Sequence, residues 1–257
     1  MKRITSVVLI LLAFAALAYG GLLQERQAAV VAARSVPVAS SYTDVLFHWG
    51  AENTMDADKG SVTGTNNGAV FDSTTYKVGS YSIERDGNND NVVFAISTSH
   101  LEKEGGQIGF WWYNGNGYQA ASLNRILTIV DTGGDDSIVL KVHSSGGLSL
   151  YWDSQAASSD AAEYTAAALS TSTWYYIVLF WHQGDAGNDL ILTIYDEAGS
   201  VAGSATDANI TAFTDDPSTL TIFTATSDAH RSNVDNFIIS NDETRDMLAV
   251  RDVTNFN

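Results

Sequence analysis

"GGQIGFWWYNGNG", residues 105 to 117, sets Phe110, Trp111, Trp112 and Tyr113 side by side. An extended chain turns alternate side chains to opposite faces, so Ile108, Phe110 and Trp112 share one face while Gly109, Trp111 and Tyr113 share the other. Both faces therefore carry large rings. A strand covered on both sides reads this way, and so does one that buries one face and offers the other to a sugar.

Working outward, the chain from about Tyr42 to Asn257 consists of short runs rich in Val, Ile, Thr, Trp and Tyr, punctuated by Gly, Asn and Asp. That pattern predicts an all-β domain. Strands are expected at 45–49, 80–84, 91–96, 107–113, 125–131 and 137–142, then at 148–153, 174–181, 190–196, 220–225 and 234–240. "DTGGDD" (131–136), "SSGG" (144–147) and "DEAGS" (196–200) read as hairpin turns. A domain of this length buries roughly 70 per cent of its unfolded surface, so there is room for a substantial core.

Residues 1 to 20 look like an address. Lys2 and Arg3 precede the apolar run Val7 to Ala18, and Ala16-Leu17-Ala18 offers the small residues of a cleavage site. The wider run Ile4 to Leu23, at about 20 residues, is also long enough to span a bilayer if it is not cleaved. Residues 21 to 41, alanine-rich and ending near Pro37 and paired serines, read as a linker before the 42–257 domain. The protein is expected to be secreted or displayed at the cell surface, and to meet a membrane only if the first segment stays uncleaved.

The chain of 257 residues carries a formal net charge of -17. Without Lys2 and Arg3, 11 basic residues face 30 acidic ones, a net charge of -19. Such a surface repels nucleic acid and attracts divalent cations. The chain has no cysteine, so an exported product would rely on neither disulfides nor a lipoprotein anchor.

Five segments together resemble the laminin-G-like jelly-roll domains of the concanavalin A-like lectin/glucanase superfamily. They are "VGSYSIERDGNNDNVVF" (78–94), "GQIGFWWY" (106–113), "LSTSTWYYIVLFW" (169–181), "DLILTIYDEAGSVAGSA" (189–205) and "NVDNFIISND" (233–242). The resemblance spans roughly residues 42 to 250 and rests on the order and spacing of the five pieces. It implies a two-sheet antiparallel β-sandwich, with a concave face and rim loops as the usual ligand sites. It also implies that Trp111 and Trp174 pack inside the sandwich, and that 189–205 forms a hairpin. Finally, it implies a structural calcium between the first and last strands, held by Glu52 in "HWGAEN" and Asp235 in "VDNF", with Asn53 as a helper. Calcium takes hard oxygen ligands from loops of this kind.

Other constellations carry less. Paired carboxylates alternating along one strand, as glycoside cleavage needs, do not occur, so an enzyme is disfavoured. Asp135-Asp136 and Asp215-Asp216 are adjacent pairs in turns. His48, His100, His143, His182 and His230 show no zinc spacing and read mostly as surface or strand-end residues. "SNDE" (240–243) reads as a capping box before a last short turn. Asn209-Ile210-Thr211 is a glycosylation sequon where the host glycosylates.

Alternation in 137–143, 148–153 and 190–197 puts Lys141, His143, Tyr151, Thr193 and Tyr195 on polar faces of their strands. The expectation is one sheet with a Tyr-decorated outer face. Tyr rings stack on the apolar side of a pyranose while Lys, His and Thr take its hydroxyls, which makes these five the candidate sugar site. An antiparallel sheet facing solvent has the same pattern with no ligand. The sequence therefore leaves three readings: a secreted, non-catalytic module that binds glycan or an extracellular or surface protein; a surface or virion-associated structural unit; and, least favoured, a polysaccharide hydrolase or lyase.

Overall fold

The computed structural model describes residues 42–87, 89–116, 125–153, 160–183, 189–208, 210, 213–224 and 231–253, with only the backbone of Asp153 and Asp160. The leader and linker, His230, and Asn209 and Thr211 of the sequon lie outside the described residues.

The regular structure of the described residues is almost entirely strand. In order the strands are β1 (Val45–Trp49), β2 (Thr65–Asn67), β3 (Val70–Asp72), β4 (Ser82–Arg85) and β5 (Asn91–Ala95). Next come β6 (Gly105–Asn114), β7 (Arg125–Asp131), β8 (Ser137–Val142), β9 (Leu148–Asp153) and β10 (Asp160–Tyr164). The last are β11 (Thr173–His182), β12 (Asp189–Tyr195), β13 (Val201–Ala208), β14 (Pro217–Thr224) and β15 (Ser232–Ser240), followed by one helical turn, α1 (Met247–Val250). The first sheet runs β13-β12-β11-β6-β15-β4-β3, with β1 pairing the second half of β15 beyond β4. The second runs β10-β9-β8-β7-β14-β5-β2. All the strand pairings are antiparallel, and the sheets form the expected two-layer sandwich.

β2 and β3 follow each other closely in the chain yet join different sheets, so their link closes one side of the sandwich. β10 and β13 meet at the other side, where the Ala161 amide donates to Asp207 Oδ2 at 2.7 Å. The inner faces supply one core in which Phe94 meets Phe47 and Trp49 edge-on, Phe110 stacks on Phe237, and Trp152 stacks on Phe213. Removing a buried ring of this kind typically costs about 3 to 5 kcal/mol.

β6 has core on both sides. Ile108, Phe110 and Trp112 enter the layer between the sheets. Trp111 instead lies on the outer face, in a second apolar cluster with Trp174, Tyr176, Val178, Ile238, Met247 and Val250. The expectation that Trp111 and Trp174 pack between the sheets is thus corrected. Both rings are buried, but under the chain's last segment. The indole of Trp111 needs an acceptor, and the Arg251 carbonyl just after α1 takes its N–H at 3.1 Å.

"SNDE" does not cap a helix. Asp242 closes a turn by accepting from the Thr244 amide, Glu243 reaches His182, and Asp246 is the residue that caps α1 through the Leu248 amide. His48 departs from the strand-surface expectation as well. It is fully buried, with Nε2 2.6 Å from Asn236 Oδ1 and Nδ1 3.2 Å from Asp58 Oδ2. Its ring ties β1 to the irregularity in β15, where Asn236 adopts φ +49°, a region asparagine tolerates better than most residues.

Candidate functional site

The five residues expected to form one sugar site divide between the two sheets. Lys141 lies on β8, His143 just beyond it and Tyr151 on β9, all in the second sheet. Thr193 and Tyr195 lie on β12 in the first. Alternation places each on an outer face, but the faces point away from each other. Tyr195 also packs against the second cluster beside Tyr176 and α1, and burial pushes its hydroxyl above the usual tyrosine range, with Asp246 adding to the rise. Single strands give parity, not sheet membership, which is why the set read as one.

The second sheet brings the other three together and adds two residues. Register runs Lys141, Ser149, Glu163 directly across β8, β9 and β10, and Tyr151 lies one row away between Val139 and Ala161. The Lys141 ammonium rests 4.0 Å from the centre of the Tyr151 ring. The Tyr151 hydroxyl donates to Glu163 Oε1 at 2.5 Å. That bond, ahead of the opposing effect of burial, holds the Glu163 carboxyl below its ordinary range, while burial and the same carboxylate raise the Tyr151 hydroxyl. Ser149 is buried beneath them. His143 Nδ1 accepts the Ser145 amide at 3.1 Å, which leaves Nε2 as the nitrogen that carries the proton in the neutral ring.

Glu163 was missed because its strand, "DAAEY", has no β-branched residue and runs into an alanine-rich stretch that reads as loop. The usable signal was weak: Glu163 and Ala161 alternate with buried Ala162. The rest of this outer face is open in its middle, where Val93, Lys141, Tyr151, Thr219 and Thr221 are half-buried and Ala95 and Glu163 are exposed.

Glu52 and Asp235, expected to share a calcium, do converge. Asp235 Oδ2 accepts the amides of Lys77 and Val78 at 2.7 and 2.8 Å, and both Glu52 oxygens accept the Ser80 amide at 3.0 Å. Two carboxylates from opposite ends of the domain thus hold one turn. Asp235 is fully buried and its Oδ1 has no hydrogen-bond partner. Burial foremost, with Glu52 adding to it, pushes the Asp235 carboxyl up to about 7. Asn53 takes φ +58° and its side chain is exposed.

A further carboxylate centre lies at the β7–β8 turn. Asp131 Oδ1 accepts the amides of Gly134, Asp135 and Asp136 at 2.6, 3.0 and 3.2 Å, and its buried Oδ2 has no partner. A Cβ on Gly133 would lie 3.0 Å from Asp215 Oδ2, 3.3 Å from Asp131 Oδ2 and 3.6 Å from Asp135 Oδ2. The acid pairs that look separate in the sequence therefore approach one another across the rim. Among the described residues no three acidic, histidine or cysteine side chains close on one metal position. Either centre fits a hard cation only with backbone carbonyls and water completing the shell.

No protein-family model and no curated protein matches the chain. Solved structures of the same fold do. The binding domain of botulinum neurotoxin serotype D aligns with TM-score 0.59 at 12% identity over 80% of this chain and 50% of its own. Trypanosoma rangeli sialidase aligns with TM-score 0.56 at 13% identity over 85% of this chain and 33% of its own. The globular domain of T. cruzi calreticulin aligns with TM-score 0.53 at 7% identity over 80% of this chain and 91% of its own. The chain spans half of the neurotoxin domain and a third of the sialidase, and at these identities the likeness shows the β-sandwich fold.

Proposed function

We propose that this chain is a secreted, non-catalytic binding module, a laminin-G-like sandwich that takes saccharide on the outer face of its second sheet. The observation that carries the reading is the Lys141, Tyr151, Glu163 cluster on a face left open at its centre. It combines a ring, a carboxylate acceptor and a cationic donor, the set that orients sugar hydroxyls against an apolar pyranose face. The outer face of the first sheet offers no equivalent, since its aromatic residues are the second core. A lone carboxylate engaged by a tyrosine suits recognition better than glycoside cleavage, which uses two flanking the bond. The sialidase among the structures of this fold is named for a carbohydrate activity, which agrees with the reading.

Calcium enters this proposal as a structural ion. Asp235 and Glu52 would hold it where the orphaned Asp235 Oδ1 lies, and Asp131 with Asp215 form the alternative centre. Bound there, the ion would neutralise carboxylates that the fold has drawn together.

The test is a glycan array probed with the full chain, followed by calorimetric titration of the best ligand and chromatography of that ligand after long incubation. The reading expects selective binding, weakened about tenfold by Glu163→Gln, and an intact saccharide. Absence of any binding, or accumulation of cleaved product, would overturn it.

A further inference from the structure

We infer that the saccharide held on the second sheet carries a carboxylate, which Arg125 and Lys141 take together. This rests on the proposed sugar-binding face and adds the chemical class of its ligand. The chain is strongly acidic, with 30 Asp and Glu against 13 Lys and Arg, so its cations have carboxylates to choose from. Lys77, Lys103, Arg245 and Arg251 each take one, with Glu197, Asp216, Asp44 and Asp252 respectively. Among the described residues Arg125 and Lys141 take none.

These two are also direct cross-strand partners. Arg125 opens β7 opposite Lys141 on β8, so both side chains leave the same outer face. Like charges directly opposite each other weaken a sheet. An acidic surface that sets two cations without an ion pair directly opposite each other has built a local anion site against its own overall charge. His143, two residues beyond Lys141, lies on the same face, where its Nε2–H is a further donor.

The nearest acid does not cancel this pair. Glu163 is two strands from Lys141 and its carboxylate accepts the Tyr151 hydroxyl. Lys141 meanwhile covers the Tyr151 ring with its ammonium and forms no ion pair with Glu163, whose carboxylate it influences only at longer range. A ligand carboxylate bound by the planar Arg125 fork would draw Lys141 off the ring. The bared ring would then stack on the same sugar unit. Charge recognition and stacking are thereby coupled, so a neutral saccharide has to displace Lys141 without compensation.

The experiment titrates the full chain with hyaluronan and oligogalacturonate oligomers, each beside its carboxyl-reduced form, which keeps the sugar and loses the charge. Binding of an acidic oligomer at least tenfold tighter than its reduced form is expected, weakening further as salt is raised. Arg125→Gln and Lys141→Gln should each lose about tenfold on the acidic oligomer, with unchanged thermal midpoints. Equal binding of acidic and reduced oligomers, unaffected by either variant, would overturn this inference and leave the sugar-binding reading standing. Binding of sulfated but not carboxylated oligomers would overturn the carboxylate assignment. Failure of every saccharide on the array to bind would overturn both.

Discussion

Replacing Gly109 with alanine places a Cβ 2.3 Å from the Tyr176 hydroxyl, 2.7 Å from Met247 Cε and 3.0 Å from Tyr176 Cζ. Ordinary contact starts near 3.4 Å, so the new methyl needs more than 1 Å of room. Met247 can swing, but the Tyr176 ring is wedged edge-on against Trp111 in the cluster beneath α1. Overpacking of this kind costs about 1 to 3 kcal/mol. The general preference of strands for alanine over glycine returns about 0.5 to 1 kcal/mol. A net loss of about 1 to 2 kcal/mol lowers the melting temperature of a domain this size by roughly 2 to 8 °C. The partner variant is Tyr176→Phe, which deletes a buried hydroxyl that has no hydrogen-bond partner. Alone it should be neutral or stabilising by about 1 kcal/mol, because an unsatisfied polar group leaves the interior. Combined with Gly109→Ala it should recover most of the loss, so the two substitutions couple by about 1 kcal/mol or more in a double-mutant cycle. Calorimetric melts of the four proteins give the answer. An undisturbed Gly109→Ala melt, or strict additivity, would refute the second core and reopen the outer face of the first sheet as a ligand platform.

Two further outcomes concern the carboxylates. In chelator-treated protein the Asp235 carboxyl, near 7 in the fold against 3.8 ordinarily, keeps its proton where the unfolded chain has lost it. Stability is therefore full below about pH 4 and is lost as pH rises through 7, at about 1.4 kcal/mol per unit from this group. Asp235→Asn should flatten that slope, as melts from pH 5 to 8 would show; an unchanged difference between variant and parent across that range would contradict the buried acid. Calcium should raise the melting temperature of the parent, by about 2.7 kcal/mol in stability at a hundred times its dissociation constant. Asp235→Ala abolishes the gain if the ion binds beside Glu52, Asp131→Asn abolishes it if the rim holds it, and no shift in millimolar calcium removes the ion from the account.

The eleven runs of β-branched and aromatic residues became strands because burial on at least one face writes itself into alternation. β2, β3 and β10 left no such mark, and β13 was expected only as the second arm of a hairpin. All four lie at the ends of the two sheets. Edge strands such as "TNN" and "DAAEY" are short and polar, as edges that must not recruit another chain tend to be. Losing β10 concealed Glu163, and with it the partner that defines the Tyr151 cluster. Parity alone also left Tyr195 and Tyr151 equivalent. What separates them is α1 and the turn before it, which cover one outer face through a tertiary contact no local pattern encodes. The Glu52 and Asp235 pairing, by contrast, was legible through the resemblance, because it depends on which strands are first and last.

The central claim is that only the second sheet's outer face takes ligand, and affinity measured beside stability for Tyr151→Ala and Tyr195→Ala tests it directly. Tyr151 is half-exposed beside Glu163, so its truncation should leave the melt nearly unchanged and weaken the best saccharide ligand by tenfold or more. Tyr195 packs into the second core, so its truncation should lower the melting temperature while the folded protein binds like the parent. Parental affinity in a folded Tyr151→Ala variant, with loss of binding in a folded Tyr195→Ala variant, would place the site on the other sheet and contradict the account.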